Sequence, residues 1–329
     1  MRRVNMVLKA ISQLILAVGL LQIAPVDASY FELSAGVAKS GKAVAAVDVM
    51  DNFAILPQAG NRFNYPVKVD KNSYGIVTTA VSALVVDRDS GAILFQKNAG
   101  AVRSIGSVTK LMAALVFLDQ NPNLSQTVVL EADKDYVGGG HNYLRYYDGV
   151  KLKDVLAAGL IGSDNTAINS LVRFSGLSRE EFVNKMNEKA RDLDMKDSVF
   201  ADPTGIDADN MSTARDIVKL LAAAEKSEII KFYTEMPKIK IIQDSGRAVE
   251  IKNTNKLLDT FLNQGDYKVI GGKTGYLPEA GYVLATTVEE NDHAVHIVVM
   301  GSESKKARID EAKGLAYWAF KTFKWQDDK

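Results

Sequence analysis

The sequence predicts an α+β fold in which one mainly antiparallel sheet is covered by a terminal helix and carries an all-helical lobe. Two hairpin patterns predict the sheet, and they lie near opposite ends of the folded region, at residues 82–96 and 281–301. The segments between the hairpins have mostly helical periodicity, and residues 307–323 form a last amphipathic helix. Strands at both ends with helices inserted between them favour a single shared sheet.

Residues 1–28 have the pattern of a secretory signal peptide. Basic side chains precede an apolar segment at residues 10–23, and Val26–Ala28 places small or modest side chains at a cleavage site. The apolar segment is shorter than the roughly 20 residues that span a membrane, and Gln13 interrupts it. An uncleaved anchor or a buried helix is the alternative. We expect cleavage after Ala28, which would leave no stable membrane span.

Residues 29–74 are predicted to be a linker or an N-terminal arm, and residues 75–329 the folded domain. The arm contains Pro57 and Pro66, and its apolar residues show neither a helical nor a strand period over any length. The domain opens with SALVVD and AILFQ, which are separated by a turn containing an aspartate and a glycine. This pattern predicts the first β-hairpin.

Capping residues mark the starts of two helices between the hairpins. Ser178 and Glu181 form a capping-box pattern before FVNKMNEKARDL, and Thr213 with Asp216 makes a similar start before IVKLLAAAE. Near the other end, GYVLATTVEE and HAVHIVVMG flank the polar pair Asn291–Asp292, which predicts the second hairpin.

The composition excludes several classes of function. Forty basic and forty acidic side chains leave no net charge, and the sequence has no long run of Lys and Arg, so no nucleic-acid partner is expected. Because the chain has no cysteine, disulfides, thiolate metal sites and a cysteine nucleophile are excluded. Any catalysis must use oxygen and nitrogen groups, and nothing indicates a cofactor.

The stretch SVTK places Ser107 three residues before Lys110, just ahead of the apolar run LMAALVFL. The run has helical spacing, so the two side chains should lie on one face, one turn apart, at the start of a core helix. The helix dipole favours an alkoxide there, and burial lowers the pKa of a lysine toward neutrality, where an amine can act as a base. Ser302 and Lys305 have the same spacing, but their stretch has no apolar stripe and should be solvated.

Two further triplets accompany this pair. SDN occurs at Ser163–Asn165, where two helical runs meet, and KTG occurs at Lys273–Gly275. Gly271 and Gly272 precede the second triplet, and their missing side chains would let a ligand backbone approach an edge strand closely. Taken singly, neither triplet requires a functional site. SDN is explained as well by a turn that joins two helices, and KTG by the end of a surface strand.

The three motifs occur in the order S-x-x-K, S-D-N and K-T-G, which is the signature of class A β-lactamases and penicillin-binding proteins. From about Ser82 to Phe323 the chain resembles the low-molecular-mass penicillin-binding proteins of the D-alanyl-D-alanine carboxypeptidase family, serine peptidase family S11. FADPTGIDADNMSTARDIVKLL, KNTNKLL and KTGYLPEAGYVLA resemble the family's segments after the second motif and around the third. The resemblance implies a β-lactamase/transpeptidase-like fold for the domain.

The resemblance also implies a serine-type carboxypeptidase that trims peptidoglycan stem peptides ending in D-Ala-D-Ala. By position, Ser107 is the nucleophile that becomes acylated, and Lys110 is its general base. Ser163 would help move a proton toward the leaving amine, while Asp164 holds the middle, less constrained position. Water then releases the shortened peptide.

The substrate-binding residues are implied in the same way. Asn165 would hold the substrate's amide, and Lys273 and Thr274 would bind its terminal carboxylate. Backbone N–H groups of the nucleophile and of Tyr276 would face the developing oxyanion. The substrate should add as a strand along the motif that ends at Gly275. β-Lactams would be covalent inhibitors.

By resemblance, the enzyme would be secreted, periplasmic or extracellular, associated with the cell wall, and involved in wall remodelling and cell shape. Some relatives carry a β-rich C-terminal domain and an amphipathic anchor. The sequence ends soon after Trp325, so we expect neither feature here.

Three alternatives remain open. A DD-endopeptidase that cleaves peptidoglycan cross-links is favoured by GGHNYLRYYDG and NMSTARDIVKLL, which look closer to that branch. A β-lactamase would need a glutamate to position the deacylating water, and SVFADPTGID offers only aspartates. A non-catalytic wall-binding or sensor protein would not need all the motif residues.

The three histidines are expected to be structural, and no metal site is predicted. His293 and His296 are three residues apart in an apparent strand, so they should point to opposite faces of it. His141 follows three glycines, without the convergent ligands that a metal site needs.

Overall fold

The computed structural model describes residues 65–325. Its strands are β1 Val67–Lys68, β2 Ser82–Asp87, β3 Ile93–Lys97, β4 Arg103–Ser104, β5 Thr127–Val129, β6 Gly149–Lys151, β7 Met211–Ser212, β8 Lys238–Ile242, β9 Ala248–Lys252, β10 Tyr267–Leu277, β11 Gly281–Glu290, β12 His293–Ser302 and β13 Phe323–Lys324. Its helices are α1 Thr109–Asp119, α2 Ala132–Asp135, α3 Leu152–Ile161, α4 Asn165–Phe174, α5 Arg179–Asp192, α6 Ala214–Lys226, α7 Glu228–Glu235 and α8 Ala307–Thr322. Short 3-10 helices span Gly106–Val108, Lys256–Asp259 and Phe261–Asn263.

The predicted signal peptide, residues 1–28, and most of the predicted arm lie outside the described residues. These assignments stay predictions. Within residues 65–325, no helix is both long and apolar enough to cross a membrane.

A five-stranded antiparallel sheet, in the order β10-β11-β12-β2-β3, lies at the centre of the fold. Both predicted hairpins are confirmed, because β2 pairs with β3 and β11 pairs with β12. In the first turn, the Asp87 carboxylate accepts a hydrogen bond from Ser90 N at 2.9 Å, and Gly91 has a φ of +71°, which glycine tolerates. The predicted α+β class is therefore confirmed, with β10 and β3 at the two edges of the sheet.

Helices cover both faces of the sheet. On one face, α8 forms an apolar core with the sheet through Leu315, Ala316, Ala319, Val85, Leu284 and Ile297. On the other face, α1 and α6 pack on the sheet and join it to the helical lobe. Since the central strands are buried on both faces, their sequences are continuous apolar runs without strict alternation.

The helical lobe contains the two predicted helix starts, and both are confirmed. At the start of α5, Ser178 Oγ accepts a hydrogen bond from Glu181 N at 3.2 Å, and the Glu181 carboxylate accepts one from Ser178 N at 2.8 Å. At the start of α6, Thr213 Oγ1 accepts a hydrogen bond from Asp216 N at 3.2 Å. These contacts satisfy N–H groups that a helix leaves without partners at its first turn.

The described end of the predicted arm packs against the domain. β1 pairs with β13, and Ser73 Oγ accepts a hydrogen bond from Trp318 Nε1 at 2.6 Å. Residues 65–74 therefore contact the final helix and strand of the described chain.

The hairpin of β8 and β9 lies within the span for which the sequence predicted mostly helices. KIKII and AVEIK alternate apolar and charged residues, and the turn between them contains Gly246 with a φ of +83°. A period of two with a glycine turn is a strand signal, so this part of the helical expectation was wrong. The hairpin packs against α3.

Candidate active site

Ser107 and Lys110 lie at the start of the predicted core helix. Ser107 is in the short 3-10 helix Gly106–Val108, which continues directly into α1. Lys110 is completely buried, and its Nζ donates a hydrogen bond to Ser107 Oγ at 2.8 Å. The expected spacing of one helical turn thus brings the amine onto the hydroxyl.

The other contacts of Lys110 orient its amine. Its Nζ lies 2.6 Å from Asn165 Oδ1 and 2.5 Å from the carbonyl oxygen of Thr204. Both oxygens can only accept hydrogen bonds, so they occupy the two N–H bonds of a neutral amine. The remaining lone pair then faces Ser107 Oγ, which can donate its proton to it.

The surroundings of Lys110 favour the neutral form of its amine. Burial lowers the pKa of Lys110 to about 7, although the nearby carboxylates of Asp202 and Asp164 act in the opposite direction. About half of the molecules therefore carry a neutral Lys110 at pH 7. This is the protonation state that a general base requires.

A buried turn around Asp202 supports this arrangement. Asp202 Oδ1 accepts hydrogen bonds from Thr204 N at 2.6 Å and from Gly205 N at 3.0 Å, and Oδ2 accepts one from Asp207 N at 2.9 Å. Burial would raise the pKa of Asp202, but these bonds outweigh it and lower the pKa. The turn directs the Thr204 carbonyl at Lys110. Our sequence analysis used DPTG only as part of a resemblance and missed this role.

The second motif connects α3 to α4. Ser163 has a φ of +61°, which is unusual for a residue other than glycine and is typical of strained functional sites. The expectation that Asp164 is weakly constrained was wrong: it is buried, and its carboxylate accepts hydrogen bonds from Ala167 N and Tyr143 N, each at 2.9 Å. Asp164 thereby caps α4 and fixes the loop that precedes β6.

Both the oxygen and the nitrogen of the Asn165 side-chain amide form hydrogen bonds within the protein. Its Oδ1 accepts from Lys110, and its Nδ2 donates to the carbonyl oxygen of Gly138 at 2.8 Å. A side-chain amide has two N–H bonds, so one donor remains for a ligand.

The third motif lies on the edge strand β10, beside the second motif. Lys273 is buried, and its Nζ donates to Ser163 Oγ at 2.8 Å. Burial holds the pKa of Lys273 well below its usual value, and the positive charges of Lys110 and Arg308 add to this. Thr274 Oγ1 donates to Thr254 Oγ1 at 2.7 Å, a contact that our sequence analysis did not foresee.

The two glycines before Lys273 serve the protein's own packing, which corrects our sequence interpretation. A Cβ on Gly271 would lie 2.4 Å from Thr234 Oγ1, and one on Gly272 would lie 2.3 Å from the Ala285 carbonyl oxygen. Their φ values of +111° and +137° accompany a register shift in the pairing of β10 with β11. They form a β-bulge, and the close approach is made by α7 and β11.

The end of the third motif contacts the nucleophile turn. A Cβ on Gly275 would lie 3.2 Å from Ser107 N, and one on Gly106 would lie 2.9 Å from Tyr276 N. Arg308, from α8, donates to the Gly275 carbonyl oxygen at 2.8 Å. The backbone N–H groups of Ser107 and Tyr276 are thus held close together by glycine contacts and a buried guanidinium. All the predicted site residues meet in this cleft.

The second serine–lysine pair lacks this arrangement. We expected the stretch that contains Ser302 and Lys305 to be solvated. This was wrong for Ser302, which is buried at the end of β12. However, Ser302 Oγ donates to the Glu311 carboxylate at 2.5 Å, and Lys305 is exposed. The spacing alone therefore does not make a nucleophile and base.

The two strand histidines point to different surroundings. His296 is buried, with Nδ1 2.9 Å from Thr287 Oγ1, whereas the His293 ring stacks on Trp325 with centroids 4.9 Å apart. Among residues 65–325, no group of three or more metal-ligating side chains converges.

Comparisons with known proteins agree with this geometry. A sequence profile of the family described as D-alanyl-D-alanine carboxypeptidase, peptidase family S11, matches residues 69–304. The chain is similar to a D-alanyl-D-alanine endopeptidase of Pseudomonas aeruginosa, with 30% identity over 239 residues that cover 72% of this chain and 76% of the relative. It is also similar to the D-alanyl-D-alanine carboxypeptidase DacF of Bacillus subtilis, with 28% identity over 258 residues, 77% of this chain and 65% of the relative.

Among solved structures, the fold is similar to the crystal structure of the Streptomyces K15 DD-transpeptidase. The TM-score is 0.69 at 29% identity, and the match covers 76% of this chain and 100% of the other. The transpeptidase-like fold that the resemblance implied is therefore confirmed.

Proposed function

The chain belongs to the D-alanyl-D-alanine carboxypeptidase family of serine peptidases, and we propose that it trims peptidoglycan stem peptides through an acyl-enzyme on Ser107. The observation that carries this proposal is the contact of 2.8 Å between Lys110 Nζ and Ser107 Oγ, together with a Lys110 pKa of about 7. A serine hydroxyl next to a buried amine that is half neutral at pH 7 is the arrangement expected of a nucleophile and its base, which supports the proposal.

Acylation begins when Ser107 Oγ attacks the carbonyl carbon of the penultimate D-Ala. Its proton passes to the lone pair of Lys110 Nζ as the new C–O bond forms. Negative charge develops on the carbonyl oxygen, and we assign the backbone N–H groups of Ser107 and Tyr276 to stabilise it. The close contact of β10 with the nucleophile turn supports this assignment.

Breakdown of the tetrahedral intermediate cleaves the C–N bond, and the departing D-Ala amine takes up a proton. By resemblance to the family, we assign Ser163 to pass this proton on from Lys110, and the contact of 2.8 Å with Lys273 Nζ holds its hydroxyl in place. A water molecule then attacks the acyl carbon, with Lys110 again as the base, and releases the shortened peptide and free Ser107.

Lys273 and Thr274 would bind the terminal carboxylate of the substrate. Both are buried residues on the edge strand, where a substrate can add as a further strand. A carboxylate beside Lys273 Nζ would restore the proton that burial disfavours, because an opposite charge raises the pKa of a lysine. Asn165 would use its remaining N–H bond to hold the substrate's amide.

A second candidate function is cleavage of peptidoglycan cross-links. It is favoured by the similarity to the Pseudomonas aeruginosa protein named D-alanyl-D-alanine endopeptidase. Both reactions cleave after a D-Ala and form the same acyl-enzyme. They differ only in what lies beyond the cleaved bond.

We further propose that the enzyme works outside the cytoplasm, in the periplasm or at the cell wall, and that β-lactams acylate Ser107. The location rests on the sequence of residues 1–28 and on the position of peptidoglycan outside the cytoplasmic membrane. A β-lactam carries a reactive amide and a carboxylate, which are the groups that the cleft would engage in the natural substrate.

The test is incubation of the purified protein with monomeric and cross-linked muropeptides, followed by mass spectrometry of the products. Loss of one D-Ala from monomers identifies the carboxypeptidase, and conversion of dimers to monomers identifies the endopeptidase. Ser107→Ala should abolish either reaction. If neither substrate changes while the protein still binds peptidoglycan, it is a wall-binding protein and not an enzyme.

A further inference from the structure

The hairpin of β8 and β9 has one apolar face and one basic face. Its apolar face packs into the core through Ile239, Ile241, Val249 and Ile251. The opposite face is exposed, and we call it the basic face; its cationic side chains are Lys238, Lys240 and Lys252. Lys238 and Lys252 are direct partners across the two strands, and Lys240 follows on the same face.

Hairpin stability does not explain this arrangement of charge. Like charges directly opposite each other across two strands destabilise the pairing. Glu250 is paired with Lys240 in the ladder and lies 2.9 Å from Lys238 Nζ, so it compensates for one charge. Three cations and this one acid leave a net charge of plus two on the basic face. Asp244, at the turn, packs instead against Gly149, where a Cβ would lie 2.0 Å from its carboxylate.

The basic face lies at the rim of the proposed active site. Lys252 is two residues before Thr254, so their Cα atoms are within about 8 Å of each other. Thr254 Oγ1 accepts the hydrogen bond from Thr274 in the third motif. At the other end of the hairpin, Arg247 Nη1 donates to the Tyr143 carbonyl oxygen at 3.1 Å. Tyr143 N in turn donates to Asp164 of the second motif. The same hairpin therefore joins both walls of the cleft.

We propose that the basic face is a docking surface for the carboxylate-bearing strands of polymeric peptidoglycan, and that it holds a neighbouring part of the polymer while one stem occupies the cleft. This inference rests on the proposed function. Stem peptides carry free carboxylates, so a polymer of many stems is a polyanion. The whole chain has no net charge and provides no general attraction, so a polyanion must be bound by a local cluster of one sign.

Two properties distinguish this surface from the catalytic cleft. Its cations are exposed, so its contribution should be screened by salt. It should also be used only by substrates that extend beyond one stem, because Lys273 and Thr274 would already bind the single carboxylate of a short peptide. The docking surface therefore lowers KM for the polymer and leaves turnover of a short peptide unchanged.

The test compares the double variant Lys240→Gln/Lys252→Gln with the control Lys196→Gln/Lys305→Gln, whose two lysines are also exposed but lie on other elements. Binding to isolated sacculi is measured by sedimentation in the Ser107→Ala background, so that it does not depend on catalysis. In the active background, KM is measured with sacculi and with a soluble D-Ala-D-Ala tripeptide. Loss of two exposed ion pairs should weaken sacculus binding roughly two- to thirtyfold. The control and the tripeptide should show no change.

Raising the salt concentration to about 1 M, where the screening length is about 3 Å, should remove most of the difference between wild type and the double variant. The proposal is overturned if sacculus binding is unchanged in the double variant, or if tripeptide turnover falls with it. It is equally overturned if the basic face retains vesicles of anionic phospholipid and not sacculi. Failure of the wild type to cleave any peptide would refute the proposed function, while the sedimentation result would still decide the docking surface.

Discussion

The acid limb of the pH profile should report the protonation of Lys110. Burial lowers the pKa of this lysine from its ordinary 10.5 to about 7. Because the folded pKa is depressed, the neutral amine is present above pH 7 and is lost as the pH falls through that value. The acylation rate should therefore be about half maximal at pH 7 and about one hundredth of its maximum at pH 5.

The size of this effect follows from the depth of burial. With an ordinary pKa of 10.5, only about one Lys110 in 3,000 would be neutral at pH 7. The shift to about 7 corresponds to about 5 kcal/mol of differential interaction between the charged and neutral amine. This free energy comes mainly from desolvation inside the closed site, so it should be largely insensitive to salt.

The Asp202→Asn variant tests the assignment, because the Asp202 carboxylate is one of two that raise the Lys110 pKa. Removing its charge should move the acid limb to lower pH, even where the maximal rate also falls. The assay is the second-order rate of β-lactam acylation between pH 4.5 and 9, followed by mass spectrometry. Asp135→Asn is the control, since Asp135 is equally buried but pairs with Arg173. A limb that stays in place, or moves to higher pH, would refute the role of Lys110 as the base.

Three further predictions concern the nucleophile, the turn beside it and metal dependence. A β-lactam should form one adduct, on the peptide containing Ser107; Ser107→Ala should abolish it, and Ser302→Ala should not, because the Ser302 hydroxyl already donates to a carboxylate. Gly205→Ala should slow acylation at least tenfold, since a Cβ there would lie 2.0 Å from the carbonyl oxygen just before the nucleophile, a contact too close to accommodate without moving that turn. Gly176→Ala is the control, because Gly176 has a similar positive φ but open space around it. This substitution should cost only about 1 kcal/mol of stability and no activity. Chelation with EDTA should leave turnover of a D-Ala-D-Ala peptide unchanged, and an activity lost and then restored by zinc would contradict a serine mechanism.

Local sequence signals were sufficient for the two predicted hairpins, the two predicted helix caps and the pair Ser107 and Lys110. Each of these signals lies within a few residues, so the residue types and their spacing determine the geometry. The roles of SDN and KTG needed the resemblance, because the contact between Lys273 and Ser163 joins residues 110 positions apart. No local pattern encodes that distance.

The β8–β9 hairpin and the Asp164 helix cap have local signals that our sequence analysis did not use, whereas the other features that it missed depend on long-range packing. Asp202 fixes the turn whose Thr204 carbonyl contacts Lys110, and Arg308 donates to another backbone carbonyl; any residue type can provide a carbonyl. Ser302 was expected to be solvated because polar residues follow it, yet Glu311 folds back from α8 and buries its hydroxyl. The glycines before Lys273 were assigned to a ligand, because the close approach of α7 and β11 is visible only in three dimensions.

The two buried lysines show how one cleft separates a base from a carboxylate-binding cation. Each has its Nζ 2.8 Å from a serine hydroxyl, so the local contact does not distinguish them. Lys110 has carboxylates nearby, which keep its pKa at about 7, whereas Lys273 faces the positive charges of Lys110 and Arg308, which lower its pKa further. A substrate carboxylate would favour the charged form of Lys273. Because the two amines repel each other when both are charged, protonation of Lys273 lowers the pKa of Lys110. The negative charge of the bound carboxylate offsets this repulsion between the two amines, so the correct terminus can bind while Lys110 keeps the neutral form that Ser107 needs.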